Sequence, residues 1–520
     1  MKAVILFVFL LLSSLFLSAQ VQQVQAKPDT IVPGNGNREK QLEKIKDKKV
    51  KLHSDSAIAG NEPRESSLID TTLQNKYGDL LDDDPEYNKK YSIMKAATAA
   101  SGGLLFTWLF DRFVLKADYA HIGIDTWKYN LKYGWEWDND KFGINFVGHP
   151  YSGALSFSAA RSRGFNYFAA FGFATGGSLM WEYFGENTRP SYNDVINTPI
   201  SGAFLGEVLY RLSSNVLDDR TRGRERVFRE IAAGIIDPMR GLNRLMEGKS
   251  FRITNKEVYE KEPLNVSLFT GVHRINDKNN GPFGNGSSSL IFNAQFDYGN
   301  PFEIRKRKPF DFFRLRADIN FGLGNKFLDN ITGYGILFGK NFQVGEMALL
   351  AGGFQYYDYW NNSTFELGTI GLGAGVFSKL SINKTNNLYT NIHLGFVPLA
   401  GNSTEIITDT ATVRDYNFGG GLQGKFESTY NMGKYLNVSL IYYNFLIRTY
   451  HGAPGYNFVQ IFKPRITVQV YKALSVGFEN YIYVNDQNLR DYPALHSVRT
   501  EQKVFLLLYL EDSQRKGRYN

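Results

Sequence analysis

The chain has 520 residues, carries 59 basic against 51 acidic side chains for a net charge of +8, and contains no cysteine. The missing cysteines exclude disulfide staples, thiol-linked lipid anchors and thiolate metal sites, and a small positive charge diluted by nearly as many acids argues against nucleic-acid binding. With 50 glycines, 31 tyrosines and 40 phenylalanines, the composition suits interfacial aromatic girdles on closely packed strands.

Met1-Lys2, an apolar run from Ala3 to Leu17 and then Ser18-Ala19-Gln20 have the layout of a secretory signal cut after Ala19, giving a signal peptide over 1–19. Residues 20–89 are polar, with Pro28, Pro33, a lysine-rich patch and Asp82-Asp83-Asp84. Such a stretch cannot bury a core and is expected to be a flexible periplasmic leader.

Residues 90–250 take on helical period. The pattern predicts a small-residue-rich helix over 91–113, then a hairpin over 131–147 turning at Asp138-Asn139-Asp140. Further helices are expected after Pro150, over 167–184, from Thr198-Pro199, and over 222–236 as a basic amphipathic, self-paired helix ahead of Pro238. Because helices cannot wall a barrel, this block is expected to plug a lumen or cap its periplasmic mouth.

From about 264 to 510, within a barrel domain assigned to 251–520, one pattern repeats: nine to fifteen or so residues of apolar and polar side chains in alternation, closed by a polar turn. In residues 314–323, Leu315, Ala317, Ile319 and Phe321 share one parity, and Arg314, Arg316, Asp318 and Asn320 the other. Successive strand side chains point to opposite faces, so one face is oily and the other wet. Strands are expected near 265–273, 288–298, 311–323, 331–342, 345–358, 364–378, 387–398, 413–429, 434–449, 456–471, 474–485 and 501–511. The fold class is therefore an all-β transmembrane barrel of about twelve antiparallel strands, or fourteen with the 131–147 hairpin, preceded by the helical block. The oily parity should face lipid, while His273, His393 and Glu479 fall on the lumenal parity. Export combined with alternating strands places the chain in the outer membrane of a Gram-negative bacterium, in contact with its lipid and with lipopolysaccharide or a periplasmic protein as further candidate partners.

Unusual residues are densest in the helical block: His149-Pro150-Tyr151-Ser152-Gly153, Ala159-Ala160-Arg161, Trp181-Glu182-Tyr183-Phe184-Gly185-Glu186, Pro190-Ser191-Tyr192-Asn193-Asp194, Thr198-Pro199, and Gly202 through Gly206-Glu207. Over roughly residues 120–240 the chain resembles the uncharacterised bacterial family called domain of unknown function 3943, whose core runs HPY-G, AAR, WEY-GE, PS-ND, TP-GG and GE. Ser201 stands where that pattern has a glycine. The resemblance implies an envelope protein and supplies no activity.

Two readings of these residues compete. Glu182 and Glu186, one helical turn apart, could join His149 and Asp194 to hold a divalent metal or to act as acid and base in hydrolysis of a lipid or glycan. Alternatively the residues are structural. Ser191 with Asp194 is then a capping pair, Thr198-Pro199 a helix start, and Gly202 with Gly206, like Ser152 with Ser156, a site of close helix approach. Arg161 would neutralise Glu182 or Glu186. No cofactor motif, nucleophile elbow or metalloprotease motif occurs. The sequence favours a non-enzymatic envelope barrel serving transport, surface-polymer handling or envelope organisation, with a hydrolase or a barrel-anchored interaction domain as alternatives.

Overall fold

A computed structural model describes residues 92–511 except 256, 323–325, 363 and 404–415. The expected signal and leader lie outside the described residues. Twelve antiparallel strands close into a barrel, each pairing with its sequence neighbours and β1 with β12. They are β1 Leu264–Asn276, β2 Gly286–Tyr298, β3 Phe313–Asn320, β4 Leu328–Val344, β5 Met347–Asn361, β6 Glu366–Ser381, β7 Asn386–Ser403, β8 Tyr416–Met432, β9 Leu436–His451, β10 Gly455–Tyr471, β11 Leu474–Leu489 and β12 Leu495–Leu510. The seam runs in register from Val266 opposite Leu510 to Ile275 opposite Glu501. At the end where β1 begins the turns are short except for the link from Tyr298 to Phe313, as between Val344 and Met347, where Gly345 supplies the positive φ that a tight turn needs. This is called the near end, and the opposite one, where β7 leads into β8, the far end.

The alternation read from the sequence sets the two faces. Leu372, Leu394, Phe396 and Leu422 point outward and are exposed, whereas their strand neighbours point into a packed lumen. There Arg316 meets Glu479 at 3.4 Å and Asp318 at 2.9 Å, Arg465 meets Glu479 at 2.7 Å, and Lys503 meets Glu501 at 3.2 Å. His273 joins this layer through Glu501, and His393 lies against Tyr356. Towards the far end the lumen is filled by an apolar cluster that includes Trp360, Leu367, Phe445, Val459, Ile461 and Tyr483. On the near side of the charged layer a cavity of about 720 Å³ remains, lined by Arg314, Glu427, Lys463 and Arg465 among others.

Among the described residues, seven α-helices precede the barrel: α1 Ser92–Phe110, α2 Ile124–Tyr133, α3 His149–Arg161, α4 Tyr167–Phe184, α5 Tyr192–Val216, α6 Gly223–Ile236 and α7 Pro238–Met246. The expected hairpin is absent. Residues 124–133 are helical, and only an isolated bridge joins Glu136 to Ser191, so the strand count stays at twelve. Thr198-Pro199 starts no helix either, since α5 begins at Tyr192 and carries Pro199 within it. Burial on several sides holds α5 continuous where local propensity would stop it.

The helical block neither plugs the lumen nor caps a mouth; it leans on the outer wall of the barrel. Tyr356 and Asp358 of β5 face the lumen, where Lys425 holds Asp358 at 2.6 Å. The intervening outward residues bind the helices. Gln355 accepts the Tyr167 hydroxyl at 2.5 Å and donates to the Ile200 carbonyl at 2.7 Å, and the Tyr357 hydroxyl donates to the Phe146 carbonyl. Phe204 stacks on Tyr357 at 5.8 Å and Phe142 on Tyr359 at 5.4 Å. Outward glycines make the seat. A Cβ at Gly368 or Gly401 would fall 2.3 or 2.2 Å from the Phe146 ring, and one at Gly333 2.8 Å from Phe204. The side chains that would separate wall from bundle are missing where the rings land. Ile319 consequently faces outward as its parity requires but is buried in the cluster shared by bundle and wall, whereas Leu394 is open.

Helix α5 runs the height of that wall. Its first residue, Tyr192, packs on Trp137, which stacks against Phe418 and His451 at the far ends of β8 and β9. Near its last turn Asn215 donates to the Glu262 carbonyl, just ahead of β1, at 3.1 Å. Twenty-five residues at 1.5 Å each give about 37 Å. α3 crosses α5 where both are thinnest: a Cβ on Gly202 would sit 2.5 Å from the Gly153 carbonyl carbon, and one on Gly206 2.7 Å from Phe157. The close-approach reading of these glycines holds, and Ser156 serves likewise against Gly177 of α4.

Candidate functional site

The far end of the bundle gathers the ionisable residues that the sequence singles out. His149 opens α3, Glu182 lies in the last turn of α4, Glu186 in the loop beyond it, and Asp194 in the first turn of α5. Antiparallel helices bring these termini together although up to 45 residues separate them in the chain. His149 Nε2 lies 3.4 Å from Asp194 Oδ1 and 3.6 Å from Asp140 Oδ2, and its Nδ1 lies 3.4 Å from the Thr198 hydroxyl. His149, Glu182 and Asp194 offer ligand atoms all within 4.8 Å of one another, and Asp138, Asp140 and His149 form a second such group.

The polar neighbours hold this arrangement in place. Asn193 Nδ2 donates to Asp138 at 2.7 Å, to Asp194 at 2.9 Å and to Asn145 at 3.0 Å. Asn145 donates in turn to Asp138 at 3.0 Å and to the Tyr416 hydroxyl of β8 at 2.7 Å, tying the cluster to the barrel. Glu186 accepts the Trp181 indole N–H at 2.5 Å and the Thr188 hydroxyl at 3.1 Å. Asn130 of α2 donates to the Glu186 carbonyl at 3.0 Å.

Ser191 makes no side-chain cap, contrary to the capping-pair reading. Its backbone N–H instead donates to Glu182 at 2.7 Å. Nor does Arg161 neutralise Glu182 or Glu186. It ends α3, 12 residues and about 18 Å along the helix from His149, and binds Glu207 at 2.7 Å, with Arg211 on the same carboxylate at 2.8 Å. Further arginines of the block pair at the near end, where Asp219 takes Arg226 at 2.8 Å, Arg244 at 3.1 Å and Arg252 at 2.7 Å, and Arg189 pairs with Glu136 at the far end. The basic helix is thus self-paired as expected, but Arg226 and Arg244 are buried rather than solvated.

The far-end carboxylates consequently surround an imidazole, while the guanidinium that lines their cavity, that of Arg189, pairs with Glu136. Burial pushes His149 down, but the hydrogen bond and charge of Asp140, with the charges of Glu182 and Glu186, outweigh it and hold the ring up at about 9. Burial and the Asp140 charge raise Glu186 to about 7 against the opposing pull of His149. A cavity of about 360 Å³ reaches the cluster, lined by Trp137, Asp140, His149, Trp181, Glu186 and Asp194 among others. Glu182 lies behind it, buried against Ser191. Carboxylate oxygens with one imidazole nitrogen suit a hard or borderline divalent cation, and a 4.8 Å spread matches the ligand-to-ligand distances around an ion with bonds of about 2.1–2.5 Å.

All four sequence candidates therefore meet in one place, without arginine partners. Asp138, Asp140, Asn145 and Asn193 complete the site unforeseen, because the Asp138-Asn139-Asp140 run has the chemistry of an ordinary turn. The other motif residues are structural. Pro150 lies in the first turn of α3, Tyr183 packs on Trp135, the carbonyl of Pro190 accepts the Glu136 N–H, and Glu207 anchors the two arginines.

Residues 134–239 match the family described as domain of unknown function (DUF3943). No curated protein matches the chain. Among solved structures it is similar to the outer membrane channel DcaP of Acinetobacter baumannii, at 8% identity and TM-score 0.23, over 48% of this chain and 96% of that one. It is also similar to the NanC porin, at 7% identity and TM-score 0.26, over 48% and 99%. A third is the COG4313 outer membrane channel of Pseudomonas putida F1, at 6% identity and TM-score 0.26, over 48% and 96%.

Proposed function

We propose that this protein, whose residues 134–239 form a domain of unknown function 3943, is an outer-membrane barrel that carries on its outer wall a centre for hydrolysing an envelope lipid or glycan. One observation carries the reading: His149, Glu182 and Asp194 converge with no arginine bound to any of them, His149 and Asp194 lining a cavity that Glu186, Asp140 and the Glu136-paired Arg189 also reach. Hydrolysis adds water across an ester or glycosidic C–O bond. A carboxylate in the cavity, Asp194 or Glu186, takes the proton from water as its oxygen attacks, and the His149 imidazolium gives a proton to the departing oxygen. Were a divalent cation held instead by a neutral His149 with Asp194 and Glu182, it would polarise the bond under attack and leave the proton transfers to Glu186. The outward apolar belt and polar lumen support the outer membrane as the site of the barrel. Its lumen, filled by the Arg316–Glu479 layer and the apolar cluster beyond, suits an anchor better than a diffusion pore.

The near-side lumenal cavity of about 720 Å³ favours a second reading, transport or handling of a surface polymer, which requires that layer to open. The two readings part in one experiment. Purified protein is incubated in detergent with Gram-negative envelope lipids, lipopolysaccharide and glycan fragments, and the products are followed by mass spectrometry. Water-addition products are expected from the parent and not from His149→Ala or Asp194→Asn. No product from the parent, together with ion conductance across a planar bilayer, would replace the hydrolase with a transporter.

A further inference from the structure

The bundle sits where lipid would otherwise meet the barrel, and its outward helices are built accordingly. α1 and, beyond its first residue Tyr167, α4 form the side of the bundle that turns away from the wall. Residues 96–110 of α1 and 167–181 of α4 contain no charged side chain. Each run of 15 residues spans about 22 Å, close to the ~25 Å apolar band of an outer-membrane barrel. Within the uncharged run of α1 the exposed positions are Ala97, Thr98, Ser101, Gly102, Leu105, Phe106 and Leu109, after Ile93, Met94 and Lys95 in the turn before it. Phe106 is 67% exposed and Phe168 of α4 is 62% exposed. A helix facing water would place lysine or glutamate at several such positions. Over Ile93–Leu115, the longest apolar stretch among the described helices, little is buried within the chain.

Charges resume at both ends of these runs: Lys95 before and Arg112 and Lys116 after the first, Arg163 before and Glu182 and Glu186 after the second. Tryptophan marks the far boundary. Of the six in the chain, Trp108, Trp127, Trp135, Trp137 and Trp181 lie in the far part of the bundle, where Trp127 donates to the Phe184 carbonyl at 3.0 Å and Trp108 to the Ala120 carbonyl at 3.1 Å. Indoles with a satisfied N–H and an open ring are the usual occupants of a membrane–water interface. The belt is continuous with that of the barrel. Leu372, Leu394 and Leu422 are exposed to one side of the docked bundle, and Leu290, Val272 and Val504 to the other.

From these features we infer that the outer face of α1 and α4 lies in the hydrocarbon of the membrane, so that the protein crosses the bilayer with helices and strands side by side. Backbone polarity poses no obstacle, because each helix satisfies its own N–H and C=O groups within the run.

The chain has no cysteine, so single spin labels can be placed freely. The full protein carrying Phe106→Cys, Phe168→Cys, Leu394→Cys or Lys116→Cys is reconstituted into phosphatidylethanolamine–phosphatidylglycerol vesicles, and collisions with oxygen and with a water-soluble nickel chelate are measured. Labels at 106 and 168 are expected to favour oxygen over nickel by the same factor as the label on the barrel at 394, and the label at 116 to reverse the preference. Nickel access at 106 and 168 equal to that at 116 would overturn the inference, and so would a label reached by neither reagent, which signals a second copy or another protein on that face. The unsubstituted protein gives an independent reading. Bromines high on the acyl chains should quench its tryptophans more than bromines near the chain ends, and the absence of quenching by either would equally refute a bilayer seat.

Discussion

Phe146→Ala tests the seat of the bundle on the barrel. The Phe146 ring is fully buried, lies between Phe142 at 5.1 Å and Phe418 at 6.5 Å, and rests on the bare backbone of Gly368 and Gly401. Truncation removes the ring and leaves a cavity between two stiff surfaces that cannot collapse onto it, a loss of about 3–5 kcal/mol. Since the strands are held by a closed hydrogen-bonded ladder independent of this ring, the loss should fall on docking. Amide exchange in α3–α5 is expected to accelerate by about two to three and a half orders of magnitude, each ~1.4 kcal/mol being tenfold. The barrel should still migrate as a compact species on unheated gels. Exchange that accelerates equally in β9–β11, or in neither region, would refute an outer-wall seat.

Other perturbations discriminate between the buried charges. Glu207→Gln leaves Arg161 and Arg211 facing each other without their carboxylate, and the thermal stability of the purified protein should fall by about 3–5 kcal/mol. Glu182→Gln is expected to do the opposite in the presence of chelator. It replaces a buried carboxyl that has no arginine partner and stands among other carboxylates with a neutral amide of the same shape, so the melting temperature should hold or rise. Calcium or manganese should raise the melting temperature of the parent and not that of His149→Ala or Asp194→Asn. An equal shift in all three proteins would remove the cation from the site. At the near end, burial raises Asp219, but Arg244, Tyr259 and Arg252 more than compensate and hold it below its ordinary value near 3.8. A carboxylate depressed in the folded state contributes stability that is full above its unfolded value and is lost as pH falls through the folded one. Protease resistance of α6 and α7 should therefore decline only below about pH 4, and a decline that begins near neutrality would contradict the Asp219 network.

The barrel was legible because alternation is a local signal. Arg314 to Phe321 reveal both faces of β3 without reference to any other strand. The side of the barrel that the helices occupy was not legible. Ile319 and Leu394 have the same parity and chemistry, and only the landing of Phe146 and Phe204 on Gly368, Gly401 and Gly333 decides that one is covered and the other open. Glycines within strands carry no mark of what rests on them. His149, Glu182, Glu186 and Asp194 could be picked out as unusual side chains in a helical block, whereas Arg161 was paired with the wrong carboxylates because helix direction, which sends its guanidinium to Glu207, is not written in spacing. Asp138 and Asp140 were hidden by their resemblance to a turn.

The seat of the bundle on the outer wall is tested most directly by cross-linking across neighbouring residues of β5. Tyr167→Cys is combined with Gln355→Cys, which points outward towards it, or with Tyr356→Cys, which points into the lumen. A short thiol cross-linker is applied to the folded protein in membranes. Efficient joining of 167 to 355 and not to 356 is the expected result. Joining of 167 to 356 in preference to 355 would place the helices inside the barrel and contradict the outer-wall seat.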